Sequence, residues 1–150
     1  MTKEQINEFS MRINQSNKTQ IVVITYEIII NYLDTAKKSI DNSDIDSFVF
    51  NVKKARQFLN QLSSALDFRY GISKELMSIY MFANECLVAS EIKRKDVNLS
   101  SVIENLTKLK DAFEEVSRQD NSKPVMGSRE VVYEGLTYGK NARGTVISIK

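Results

Sequence analysis

The most apolar stretch of this 150-residue chain runs from Ile21 to Leu33 and reads IVVITYEIIINYL. Its β-branched residues favour a strand on propensity alone, but apolar positions recur with a helical period as far as Ile40, which predicts a helix. A helical wheel at about 100° per residue separates an apolar face from a polar face. The apolar face carries Val22, Thr25, Ile29, Tyr32, Leu33, Ala36 and Ile40. The polar face carries Glu27, Asn31, Asp34 and Lys38. Val23 and Ile30 lie on one flank and Ile24 and Ile28 on the other. Each flank contacts either more core or a partner.

Three later segments carry similar apolar stripes and are predicted to be helices. They run from Ser43 or Asp44 to about Tyr70, from Ser73 to the basic triplet 93–95, and from Asp96 or Asn98 to about Gln119. The stripe of the first of these helices is Ile45, Phe48, Val52, Ala55, Leu59, Leu62 and Leu66. The stripe of the second is Leu76, Ile79, Tyr80, Ala83, Cys86, Leu87 and Ser90. The stripe of the third is Leu99, Val102, Ile103, Leu106, Leu109, Phe113 and Val116. We assign the basic triplet to the helix C-terminal dipole in preference to phosphate binding.

Residues at the predicted helix ends supply capping chemistry. Asn17 with Gln20 is expected to begin the central helix. Gly71 is expected to end the second long helix in a left-handed conformation. Ser73 then caps the next helix, with Ile72 and Met77 spaced as a hydrophobic staple.

A short helix is predicted over residues 2–13, because Thr2 and Gln5 have the spacing of a capping box. Ile6, Phe9 and Ile13 recur at helical spacing. Such a short helix is marginal by itself and must dock on the rest of the chain. We expect it to pack on the end of the core; the alternative is a plug that a partner displaces.

Four long amphipathic helices with short connections predict an all-α fold, an antiparallel up-down-up-down four-helix bundle over residues 1–120. The composition changes after residue 120, because Pro124 and four of the five glycines fall in the last thirty residues. Residues 121–150 are therefore predicted to be a flexible, basic tail. The apolar run Val132–Gly139 inside this tail either pairs as an extended segment or folds back on the bundle.

Composition excludes several classes of function. The chain has no histidine and one cysteine, Cys86, and it lacks phosphate-binding glycine motifs, so we expect no enzyme and no cofactor. Residues 1–120 carry 16 basic and 17 acidic side chains, a near-neutral balance that argues against nucleic-acid binding. The longest apolar run is too short for membrane insertion. The N-terminal TKEQINEF has no secretory signal, so the expected location is the cytoplasm.

Several motifs, taken in order, resemble those of the flagellar secretion chaperone FliS family across roughly Asn14 to Gln119. The family's L-Y-D/E helix corresponds to Ile24–Glu27, and its A-x-x-A-I run with an acidic turn corresponds to Ala36–Asp44. A later pattern corresponds to Leu62, Leu66, Asp67, Gly71, Leu76 and Tyr80. The tail sequence VYEGLTYGK is similar to tails in a subset of the family. The chain departs from the family at residues 17–20, where a Ser-Pro-Glu-Glu-like start is common, and at residues 83–84, where basic residues are common.

The resemblance implies a cytosolic chaperone that binds the C-terminal segment of flagellin, prevents premature polymerisation and aids type III flagellar export. It also implies the membrane export gate and, in some members, the flagellar anti-sigma factor as further partners. We expect the free protein to be a monomer or a weak dimer.

A host for amphipathic segments needs apolar side chains outside its own core. On the third long helix a second apolar line, about a third of a turn from the core stripe, carries Met77, Met81, Val88 and Ile92. With Val23, Tyr26 and Ile30 on the central helix, these are the candidate partner-binding residues. Methionine adapts to variable partners, whereas Tyr26 also fits a core aromatic with its hydroxyl at the rim. The competing reading is that such flanks are half-buried between neighbouring helices.

A second hypothesis is a non-catalytic homodimeric helical adaptor, unrelated to flagellin, that buries the same apolar lines against its own copy.

Overall fold

A computed structural model describes residues 1–119 and Leu136, and every regular element in that part of the chain is an α-helix. The helices are α1 (Lys3–Asn14), α2 (Lys18–Asp41), α3 (Ile45–Ser64), α4 (Ile72–Lys93) and α5 (Leu99–Ser117). The all-α prediction is confirmed, and short connections between α2, α3, α4 and α5 are consistent with the antiparallel bundle. Apart from Leu136, the predicted flexible tail lies outside the described residues.

The N-terminal ends of the first two helices form as their sequences predict. Thr2 Oγ1 accepts a hydrogen bond from Gln5 N at 3.1 Å, and Gln5 Oε1 accepts one from Thr2 N at 2.8 Å. Asn17 and Gln20 form the same reciprocal pair at 3.0 and 2.9 Å. Both capping boxes satisfy backbone N–H groups that have no partner within the helix.

The corner between α3 and α4 differs from the prediction. Helix α3 ends at Ser64 instead of near Tyr70, and residues 65–71 form a turn in which Asp67 accepts hydrogen bonds from the backbone and side chain of Arg69. Hydrogen bonding between an aspartate and the backbone two residues later competes with helix continuation. The period of the apolar residues carries no information about this competition.

The predicted caps at this corner are wrong as well. Gly71 has a right-handed φ of −58° and precedes α4 as its N-cap. Ser73 lies inside α4, where its Oγ donates to the Asp67 carbonyl oxygen at 2.6 Å and ties the helix to the turn. Ile72 is 57% exposed, so it forms no buried staple with Met77.

Helix α2 lies at the centre of the fold, in contact with α1, α3 and α5. Because neighbours cover it on several sides, both of its flanks are used in packing. Val23, Ile24 and Ile28 are buried, and Ile30 is partly buried against the core. The flanks of the apolar stretch therefore contact the protein's own helices.

The core also contains a lysine. Lys54 on α3 is 5% exposed, and its Nζ lies 5.9 Å from the Tyr32 ring centroid and 5.6 Å from that of Phe58. The two rings are themselves stacked, with centroids 6.0 Å apart. Cation–π attraction stabilises the ammonium there, while burial lowers the pKa of Lys54 from its ordinary 10.5.

A pair of tyrosines links α2 to α4 inside the core. The hydroxyls of Tyr26 and Tyr80 share a hydrogen bond of 2.5 Å, and the Tyr26 ring also lies 5.7 Å from that of Phe113 on α5. Burial raises the pKa of both hydroxyls, so they are neutral at physiological pH. The contact satisfies two buried polar groups with each other.

The buried ammonium predicts a pH-dependent effect of Lys54→Met. Because the folded-state pKa of Lys54 is below 10.5, folding disfavours the bound proton, and stability rises with pH as this group loses it. We expect the variant to have a Tm roughly 2–4 °C higher at pH 7, and the gain to shrink as the pH approaches 10.5. Thermal unfolding from pH 7 to 10.5 measures this; the exposed Lys108 on α5, changed to Met, is the control. A gain independent of pH would contradict the assignment.

The tyrosine pair predicts a coupled effect on stability. Tyr80→Phe leaves the fully buried Tyr26 hydroxyl without its partner and should lower the free energy of unfolding by about 1–3 kcal/mol. Adding Tyr26→Phe should restore part of that loss, because no stranded hydroxyl remains. Urea unfolding of the two single variants and the double variant closes the cycle. Strictly additive losses would show that the hydrogen bond contributes little.

Candidate partner-binding site

Helix α4 has two apolar faces, of which one is buried and the other faces water. The predicted core stripe is buried except for Ile79, which is partly buried. The second line behaves differently: Met81 is 58% exposed and Ile92 75%, whereas Met77 and Val88 are partly buried. Phe82, which the sequence reading did not include, is also exposed. The four residues of the second line, Met77, Met81, Val88 and Ile92, are referred to below as the α4 outer face.

The position of α4 at the edge of the bundle accounts for this exposure. It packs mainly against α3 and touches α5 only lightly. Glu91 anchors it to α3 through Arg56 at 2.7 Å and Lys53 at 3.7 Å. With only one extensive helix neighbour, α4 can bury a single stripe, so its second apolar line is left in contact with solvent.

The candidates on α2 lie in a different environment. Val23 is 4% exposed and Tyr26 is fully buried, while Ile30 is partly buried against the core. Tyr26 could be a partner-binding residue or a core aromatic, and it is a core aromatic. Its hydroxyl is hydrogen-bonded to that of Tyr80 and does not reach the rim. Within the folded bundle, α2 and α4 candidates do not form one continuous exposed surface.

Helix α1 covers the Val23 flank. Its Phe9 and Ile13 are buried in the core, and Arg12 holds it to α2 through two hydrogen bonds to Glu27, of 2.8 and 2.7 Å. The same contact raises the pKa of Arg12. Val23 lies at the edge of a small opening between α1, α2 and α5. In this conformation α1 is docked, as the first of the two sequence readings expects.

A groove of about 430 Å³ between α2 and α3 was not predicted. Ile21, Val22 and Leu62 contribute apolar lining, and Gln61 Oε1 is buried there without a hydrogen-bond partner among the described residues. Val22, which was assigned to the core face, is partly buried against the core and also borders this groove. The sequence offers no signal for it, since it depends on where two helices separate.

A shallower depression of about 180 Å³ lies between α3 and α4 beside Met81. Asn84 borders it, and the Oδ1 atom of that side chain is buried without a hydrogen-bond partner in the described part of the chain. Asn60 on α3 borders both this depression and the α2–α3 groove. The groove and the depression therefore lie on either side of Asn60, which is exposed on α3.

The arrangement offers apolar contact and hydrogen-bond acceptors, which is the chemistry of protein recognition. Among residues 1–119 and Leu136, no cluster of acidic or cysteine side chains is arranged to hold a metal ion. None of the described helices is both long and apolar enough to span a membrane.

Comparison with known proteins identifies the family. A family model described as flagellar protein FliS matches residues 1–120, which include all five helices. No curated protein matches the chain. The all-helical fold agrees with this match, and the sequence resemblance is confirmed. The chain therefore belongs to the flagellar protein FliS family, whose members are export chaperones for flagellin.

Proposed function

We propose that this protein binds the C-terminal segment of flagellin in the cytoplasm, keeps it from polymerising prematurely and holds it in a form that the type III flagellar export apparatus accepts. The observation that carries the proposal is the α4 outer face, an apolar surface that is exposed to solvent in a member of a flagellin chaperone family. Binding and masking require no catalysis and no cofactor.

An amphipathic segment that folds on binding suits this surface. Such segments place apolar side chains along one helix face and bind apolar grooves. Met81 and Ile92 present exposed apolar contact area, and methionine adjusts its flexible side chain to different partners. Asn84 Oδ1, buried and without a partner among the described residues, would accept a hydrogen bond from the cargo.

The surface around Asn60 extends this site across α3. Because Asn60 borders both the α2–α3 groove and the depression beside Met81, a cargo segment crossing α3 would contact both recesses. Lys18 at the groove would favour an acidic cargo residue there. The partly buried Met77 and Val88 border the exposed residues of α4, whereas Val23, Tyr26 and Ile30 would contact cargo only after α1 or the bundle moves.

The export gate and the flagellar anti-sigma factor are further proposed partners. Both would bind at surfaces other than the α4 outer face, which we propose as the cargo site. The same face also supports a competing arrangement, a homodimer that buries it against a second copy. Light scattering of the free protein separates the two, because a stable dimer at all concentrations would leave the face unavailable to cargo.

Substitution of the most accessible methionine of the α4 outer face tests the proposal. Met81→Asp places a charge where cargo would exclude water, and we expect affinity for a flagellin C-terminal peptide to fall at least about tenfold, as for a central interface residue. The melting temperature should change little, because Met81 is 58% exposed. Calorimetric titration and thermal unfolding of the same preparations measure both quantities.

Met11→Asp is the matched control, since Met11 is 65% exposed on α1 and lies outside the proposed site. It should leave affinity within about twofold of the parent. If Met81→Asp and Met11→Asp bind alike, the α4 outer face is not the cargo site. If the parent protein gives neither heat nor a shift in elution with the peptide, flagellin binding itself is refuted.

A further inference from the structure

The turn between α3 and α4 carries a cluster of exposed apolar side chains. Phe68 is 55% exposed, Tyr70 64% and Ile72 57%, although they lie close together in the sequence FRYGI. Clustered apolar side chains on a surface mark an interaction site, and aromatic residues are enriched in the centres of protein interfaces. These three residues are referred to below as the corner knob.

Hydrogen bonds hold the corner knob in one conformation. The Asp67 carboxylate accepts a hydrogen bond from Arg69 N at 3.0 Å and forms an ion pair with the Arg69 guanidinium at 2.6 Å. The Asp67 carbonyl oxygen accepts hydrogen bonds from Tyr70 N at 3.1 Å and from Ser73 Oγ at 2.6 Å. A surface that is ordered before association loses little conformational freedom on binding. The turn is therefore a preformed knob whose two charges are paired with each other.

An unfilled groove of matching chemistry lies between α2 and α3. Its volume of about 430 Å³ falls within the range of roughly 300–1,000 Å³ that is typical of binding pockets, so it has room for an aromatic side chain. The lining is apolar at Ile21, Val22 and Leu62, and Gln61 Oε1 is buried there without a hydrogen-bond partner in the described part of the chain. A buried acceptor without a partner is unfavourable. The groove therefore suits an apolar ring that carries a donor, as tyrosine does.

The corner knob and this groove are neighbours on the surface. Ser64 and Ala65, which line the groove, directly precede the turn. Hydrogen bonds from Arg69 lower the pKa of the Asp67 carboxyl, and the positive charge of Lys18 at the groove lowers it further, so Lys18 and Asp67 lie near each other. A two-fold axis that passes between a knob and a neighbouring groove, in the plane of contact, places the knob of each copy over the groove of the other.

We propose that two copies of this chain associate through this surface, with the corner knob of each copy in the α2–α3 groove of the other and the Tyr70 hydroxyl donating to Gln61 Oε1 of the other copy. The occupant is a second copy because one chain carries both complementary parts side by side, the aromatic donor and the groove with its acceptor. The dimer uses none of the residues of the α4 outer face. Cargo that enters the same groove would replace the second copy, but the tests below contain no cargo and do not depend on the proposed function.

Sedimentation of the full-length chain over a range of concentrations tests the association. We expect a reversible equilibrium between monomer and dimer. Tyr70→Ala should raise the dissociation constant of the dimer about 100-fold, because each of two equivalent contacts loses roughly tenfold. Met11→Ala is the matched control, since Met11 is 65% exposed on α1, and should sediment like the parent. Both variants should keep the parent's melting temperature, because both side chains are exposed.

A double-mutant cycle tests the contact between Tyr70 and Gln61. Tyr70→Phe keeps the ring and removes the donor, whereas Gln61→Met removes the acceptor and keeps a side chain of similar length. Tyr70→Phe should raise the dissociation constant about tenfold in the parent background, where two hydrogen bonds are lost for each dimer. In the Gln61→Met background it should change the constant by less than about twofold, because no acceptor remains. An equal effect of Tyr70→Phe in both backgrounds would show that Tyr70 does not bind beside Gln61 and would overturn the inference.

Two other results would also overturn it. One is a parent protein that sediments as a monomer at every soluble concentration. The other is a dimer that Met81→Asp dissociates and Tyr70→Ala leaves intact, because the copies would then meet through the α4 outer face. Neither result bears on flagellin binding, which is measured separately by titration with the peptide, so the two proposals stand or fall independently.

Discussion

The structure depends on the enclosure of α2 by three other helices. A surface helix with one buried face needs only a narrow apolar stripe, yet Ile21–Leu33 is apolar on its flanks as well. Those flanks are explained by contacts with α1, α3 and α5. Burial of Val23, Ile24 and Ile28 contributes the hydrophobic free energy that holds these helices in place. Once α2 has taken these neighbours, α4 is left at the edge with one extensive partner.

This constraint separates what the sequence predicts from what it does not. Periodicity identifies the buried stripe of each helix, because residues such as Phe48, Val52 and Leu87 recur at the spacing of one covered face. It does not state how many neighbours a helix has, which is a property of contacts between distant residues. Val23 and Met81 therefore both qualified as candidates outside the core stripe, although α1 covers the first and water the second. The prediction of the α3–α4 corner was wrong for a local reason. Hydrogen bonds of Asp67 and Ser73 form a turn there although the apolar pattern continues.

The burial of Lys54 could not be read from the sequence because it requires knowledge of spatial neighbours. No apolar period places Lys54 in the core, yet its ammonium lies beside the stacked rings of Tyr32 and Phe58. Leu136 lies in the tail run for which folding back on the bundle was one of two sequence interpretations, and it belongs to the core cluster. By contrast, the capping boxes at Thr2 and Asn17 were predictable, since every atom that they need lies within four consecutive residues.

The division of roles along α4 connects the fold to chaperone function. Tyr80 faces inward and is fixed by a hydrogen bond to Tyr26, whereas the next residue, Met81, faces outward and is exposed. A directional hydrogen bond between buried groups specifies one arrangement of the helices, and a flexible thioether accepts many shapes of partner. The proposed function needs both properties at once, because a segment that folds on binding provides no preformed surface to match. In the function that we propose, the bundle supplies the order and the α4 outer face supplies the adaptability, through adjacent residues of one edge helix.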